Sequence, residues 1–181
     1  MDRLLIILAS YEIILSLVMG LFTIMITLIL IQKVVIKKSL EEMLLSKNIS
    51  IGIFLGSVVF GVLANVNGSI EPAVNLLQTK MMGQGGFSFS VFIGSLLQFF
   101  VFYIISFLIT FFLLFATLKV GFSLTKRINE IEEITSGNAA ITIALAFYII
   151  GFCYFVRPAT KNFVGSLVNY ELVRADLENN H

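Results

Sequence analysis

Apolar residues run almost without interruption from Leu4 to Ile31, from Ile49 to Val66, from Val91 to Leu118 and from Ala139 to Val156, with polar and charged residues gathered between these stretches. A hydrocarbon core of roughly 30 Å takes about 20 helical residues at 1.5 Å each. The pattern therefore predicts four membrane-spanning helices in the order long, short, long, short. The first run is too long for the apolar part of a cleavable signal peptide and reads as a retained helix.

The alternation invites a test for duplication. Laying the second half over the first with a shift of 90 residues and no gaps brings Ser46, Asn48, Ile51, Ile53, Leu55, Gly61 and Val66 onto Ser136, Asn138, Ile141, Ile143, Leu145, Gly151 and Val156. The same register pairs Lys37 with Arg127 and Glu42 with Glu132, and such polar matches do not follow from shared hydrophobicity alone. The expected fold is an all-α integral membrane protein of four transmembrane helices. They form two parallel two-helix repeats, 1–88 and 89–181, joined through short amphipathic connector helices. Each connector, 37–48 and 127–138, ends at an asparagine that opens the next span. Asn48 and Asn138 suit that point because their side chains can cap the free amides of a helix start, and Gly137 relaxes the turn before it.

Connector charges of Lys37, Glu41 and Glu42 in the first copy, and of Arg127, Glu130, Glu132 and Glu133 in the second, form a candidate surface for a cytoplasmic protein partner, or simply a solvated membrane edge. Inside the short spans, Gly52 and Gly56 recur as Thr142 and Ala146, and Gly61 recurs as Gly151. Small residues at these positions predict close helix packing. The phenylalanines of the third span, among them Phe99, Phe107 and Phe112, ring that helix and predict lipid or subunit contact. Glu12 is the one acidic residue in a long apolar run; it is a candidate ion or polar site if deep, and a hydrated interfacial group if the span begins after it. Residues 68–90 read as a polar connector, a mobile loop or a short interfacial element with Pro72 near a helix start and a turn at Gly83, Gly85 and Gly86, and 158–177 as a segment lying on the membrane or meeting another subunit.

Composition narrows function further. Apolar residues make up 58% of the 181 and charged residues 13%, well outside the usual range of soluble domains. Twelve basic against eleven acidic residues argue against a nucleic-acid partner. One cysteine, Cys153, excludes an intrachain disulfide, and the one histidine, His181, is terminal. No phosphate loop, metal-ligand cluster or nucleophile with a base can be assembled, so the reading is non-enzymatic with no cofactor and no metal. Basic residues slightly favour the connector side, with seven against five, which predicts cytoplasmic connectors and both termini outside.

A charged amphipathic helix, then Gly137-Asn138-Ala139-Ala140, then a small and apolar helix, with a looser copy at Lys47-Asn48-Ile49-Ser50, resembles the bacterial YjfL-like family, domain of unknown function 350. That resemblance implies a bacterial inner-membrane protein, sometimes linked with membrane-stress systems, and no catalytic residues. Two functions are expected to compete: an oligomeric, channel-like or pore-forming assembly, and a membrane scaffold or sensor that recruits a partner through its connectors.

Overall fold

A computed structural model describes residues 3–83, 89–124 and 129–167, and every regular element among them is helical. Helix α1 (Arg3–Leu30) runs on through a π-helical turn, Ile31–Ile36, that closes on Lys37 in the left-handed conformation. The short α2 (Leu40–Leu45) leads through Asn48 into α3 (Ile49–Val66). A 3-10 turn, Asn67–Ser69, passes into α4 (Ile70–Gly83); then follow α5 (Phe89–Leu124), the short α6 (Glu130–Ser136) and α7 (Ala139–Ser166). Four of the resulting helical runs are long and apolar enough to cross a bilayer: Ile6–Ile36, Ile49–Met82, Phe89–Ser123 and Ala139–Ser166.

The two short spans are longer than the hydropathy suggests. Asn67-Gly68-Ser69 tightens the helix instead of breaking it. Pro72 then falls in the first turn of α4, where a missing amide donor costs nothing. Ala73, Leu76, Leu77 and Met81 are buried on one face of α4, so packing holds residues 70–83 as a helix where a polar connector was expected. Likewise α7 does not stop near Val156 but carries Pro158 in its interior, held by the buried Thr160 and Val164 on the far side. The rest of the C-terminal segment lies outside the described residues.

Contacts along the long helices fix their directions. Tyr11 meets Phe92 edge to face, and Thr23 shares a buried 2.8 Å hydrogen bond with Tyr103, so α1 and α5 run the same way. Asn48 reaches Thr135 and Asn65 reaches Cys153, so α3 and α7 run parallel to each other as well. The pair α3 and α7 makes the most extensive helix contact in the molecule. On its buried face α3 presents Ile51, Phe54, Val58 and Val62, all essentially inaccessible. Along α5, Phe99, Tyr103, Phe107, Phe111 and Phe115 form a column of neighbouring rings with centroids 4.6–6.3 Å apart. Phe99 and Phe111 are buried in the protomer, so this column belongs to the core, whereas Phe100 and Phe112 are exposed.

The small residues divide in a way that spacing does not reveal. Gly61 packs directly on α7: a Cβ there would lie 2.8 Å from the Cys153 sulfur and 3.1 Å from its Cβ. Thr142 and Ala146 are buried as expected. Gly52, Gly56 and Gly151, in contrast, have open space where a Cβ would stand, because the helices rotate these positions away from the α3–α7 seam. Within the protomer these three glycines make no close contact. Gly61→Leu should lower stability by about 1–3 kcal/mol through overpacking, and Gly52→Ala or Gly56→Ala should leave it within about 0.5 kcal/mol, as read by unfolding in detergent.

Candidate functional site

The two connector junctions adopt the same local geometry 90 residues apart. Ser39 Oγ accepts from the Glu42 amide, and Asn129 Oδ1 accepts from the Glu132 amide. Each short helix closes on a left-handed residue, Lys47 at φ 58° and Gly137 at φ 97°. Asn48 and Asn138 share φ −71°, and their Oδ1 atoms accept from the amides of Ile51 and Ile141 at 3.2 and 3.3 Å. This is side-chain capping at the start of a membrane helix, where an unpaired amide is most costly.

The amide ends of the two asparagines differ, and sequence supplies the reason. Asn138 Nδ2 donates to the Glu133 carboxylate at 2.8 Å, within its own junction. The position equivalent to Glu133 in the first junction is Met43, which offers no such acceptor. Asn48 Nδ2 turns instead to the other junction and donates to the carbonyls of Thr135 at 2.9 Å and Ile134 at 3.4 Å. Those carbonyls belong to the last turn of α6, where Ile134 also accepts from the Gly137 amide at 3.3 Å and Asn48 adds the bond to Thr135. One asparagine thus caps α3, satisfies the end of α6 and binds the two junctions together.

Between the junctions lies an open cavity of about 440 Å³, lined by Lys47, Asn48, Thr135, Ser136 and Gly137 among others. The groups there hold and orient helices; no nucleophile stands beside a base. Among the described residues no three His, Cys, Asp or Glu side chains gather as a metal site.

The remaining connector charges scatter. Glu130 is only 8% exposed, because it starts α6 on the face turned into the protein, so it does not belong to a solvent-facing partner surface. Glu133 is committed to Asn138, which leaves Glu41, Glu42, Glu132 and Lys37 at the surface. Arg127 lies outside the described residues. Glu12 is exposed on α1, about 36 Å along the helix from Ile36 and beyond a hydrocarbon core of roughly 30 Å. The structure brings it near none of the junction residues.

Sequence reasoning missed Asn65, the one amide side chain in the third helix's apolar run. It is buried, and its Nδ2 donates to the Cys153 carbonyl across the α3–α7 seam at 2.9 Å and to the Gly61 carbonyl at 3.3 Å. An amide close to the end of an otherwise apolar run was the available signal. It also passed over Arg157, which lines a second cavity at the opposite end of the same helices.

Fold and site define the class: an all-α, four-span membrane protein whose helices are organised around capped connector junctions. Residues 103–174 match the family model described as Domain of Unknown Function (DUF350), so that segment is similar to the DUF350 family. The match takes in the second junction and the whole of α7. No curated protein and no solved structure matches the chain.

Removing the amide at position 48 should cost more than removing its counterpart. Asn48→Ala is expected to destabilise by about 2 kcal/mol, for a lost cap and a carbonyl left unpaired, against about 1 kcal/mol for Asn138→Ala, whose part-exposed Glu133 partner can turn to water. Asn48→Asp keeps the cap acceptor but loses the donor to α6, so it should also destabilise. Lys47→Gly should raise stability by about 1 kcal/mol, since a left-handed lysine is strained where Gly137 is not. Thermal unfolding of the purified variants in one detergent checks all three.

Proposed function

We propose that this chain is a non-enzymatic subunit of a bacterial inner-membrane oligomer, built from two copies of one helical unit, in which small-residue faces of α3 and α7 meet neighbouring subunits and frame a channel-like path. The observation that carries the reading is the outward position of Gly52 and Gly56 on α3 and of Gly151 on α7, each with open space beyond it. Ala140 and Ala144 extend the exposed small face of α7. In lipid there is little hydrophobic gain in bringing helices together, so close backbone approach at small residues supplies much of the association energy. Glycine in a helix gives up stability to alanine. Three such positions that pack nothing within the protomer fit a contact outside it.

A protomer whose core closes on Ile51, Phe54, Phe99 and Leu114, all at most 1% exposed, favours a path between subunits over one through a single chain. Closed symmetry is the ordinary way for a small subunit to build such a path. The connectors are placed in the cytoplasm, after the excess of basic residues beside them.

A second reading, a scaffold that recruits a cytoplasmic partner, draws support from α2. There Leu44 and Leu45 are 50% and 75% exposed beside the exposed Glu41 and Glu42. This is an amphipathic patch of the kind that docks on a protein or a membrane surface.

Purified protein in liposomes should show ion or small-solute flux above that of empty vesicles. Gly52→Leu with Gly56→Leu should reduce both flux and the oligomer mass while the protomer stays folded. A monomer by native mass measurement, or wild-type flux no higher than empty vesicles, overturns the oligomeric channel. The scaffold would then predict crosslinked partners that are lost in Leu44→Ser with Leu45→Ser.

A further inference from the structure

At the end of α3 and α7 opposite the junctions, a cavity of about 310 Å³ opens between α1, α3, α5 and α7. Its walls are apolar where Met19, Phe60 and Leu63 face it; its polar side chains are Ser16, Asn67, Arg157 and the mutually hydrogen-bonded Thr23 and Tyr103. Arg157 is half-buried, and no acidic group of the described residues lies within ion-pairing distance of it. Lys161, one turn further along α7, is by contrast paired with Glu71.

Depth matters here. Arg157 lies 18 residues beyond Ala139 and Asn67 the same number beyond Ile49, about 27 Å along each helix and so at the far edge of the hydrocarbon. A guanidinium is charged at every physiological pH and keeps its donors in a rigid fork suited to phosphate. Left at this level without a counter-charge it is costly, whereas basic pockets between membrane helices accommodate anionic headgroups. Gly20 lines the opening, with open space where a side chain would stand, so a large residue there would project into it. Phe60, 57% exposed at the wall, continues the apolar surface outward along the path an acyl chain would take.

We infer that this cavity is a binding site for an anionic glycerophospholipid of the adjoining leaflet. The phosphodiester is held by the Arg157 guanidinium, Ser16 and Asn67 border the headgroup, and the first part of an acyl chain lies on Met19, Phe60 and Leu63. A net-anionic headgroup is selected because a zwitterionic one would bring its own ammonium beside the only unneutralised cation of the cavity. Charge complementarity and the apolar floor together set this occupant apart from a soluble anion, which would gain nothing from the floor.

The test is retention of phosphatidylglycerol, phosphatidylethanolamine or inorganic phosphate by the purified full chain, read by native mass spectrometry. Wild type should retain phosphatidylglycerol about fivefold over phosphatidylethanolamine, the scale of one basic residue's attraction for an anionic lipid. Arg157→Gln should abolish the preference and Arg157→Lys should keep most of it. Gly20→Leu should block retention by filling the mouth, and Lys161→Gln should change little. Unaltered phosphatidylglycerol retention in Arg157→Gln, or displacement of the lipid by millimolar inorganic phosphate, overturns the inference. Should Arg157→Gln fail to fold, Gly20→Leu decides alone: full retention of the lipid in that variant overturns it.

Discussion

Two side-chain amides that donate to backbone carbonyls of a neighbouring helix hold the architecture in register. Asn48 does so at the connector end, to Thr135, and Asn65 does so near the other end, to Cys153. Between them α3 and α7 lie parallel and closely packed, with Gly61 against Cys153. In hydrocarbon a buried amide without partners costs several kcal/mol, so these donors discriminate against any slip of one helix along the other far more sharply than leucine-on-leucine contact does. A slip of α3 along α7 would draw Asn65 Nδ2 away from the Cys153 carbonyl within the buried seam. The other helices then have a fixed pair to pack upon, with α1 and α5 joined by Thr23 and Tyr103.

The starts of the spans were legible in the sequence because they depend on local chemistry. Asparagine followed by an apolar run specifies a capped helix whatever surrounds it, and α3 and α7 begin at Ile49 and Ala139. Their ends were not legible, since they depend on packing from elsewhere. Gly68 looks like a breaker, yet its missing Cβ makes room for Lys161, whose Cβ would be 3.3 Å away from it, and the helix passes on. Pro158 likewise reads as a stop, but Thr160 and Val164 beyond it are buried. The orientation of small residues was hidden for the same reason: Gly52 and Gly61 are nine residues apart, two and a half turns, and so point to opposite sides of α3.

The candidate site shows the same division between local and tertiary signals. Both caps followed from residue type. That Asn48 binds across to the other junction rests on a difference between Met43 and Glu133, five residues upstream of each asparagine, and a helix brings that position back beneath the cap. The burial of Glu130 could not be read from a charge pattern that treats all five connector glutamates alike.

Helix length bears on where the charges sit. Exposed apolar residues on α5 extend from Phe89 to Val120, about 47 Å along the axis, which exceeds a hydrocarbon core of roughly 30 Å but is close to the 40–45 Å of a bilayer with its headgroup zones. A tilt of about 20–30°, ordinary for membrane helices, brings the two lengths together. On that geometry the long helices need not stand out in water: their ends lie in the headgroup layers, with Phe89 at one such level. Glu12, the Glu71–Lys161 pair and Arg157 then share the layer opposite the connectors, where water and phosphates can solvate them. An exposed carboxylate such as Glu12 is stable there without a partner. A half-buried guanidinium is a different case, because the protein has removed part of its water and none of the described acidic groups pairs with it, so the phosphates of the layer are a source of compensating charge.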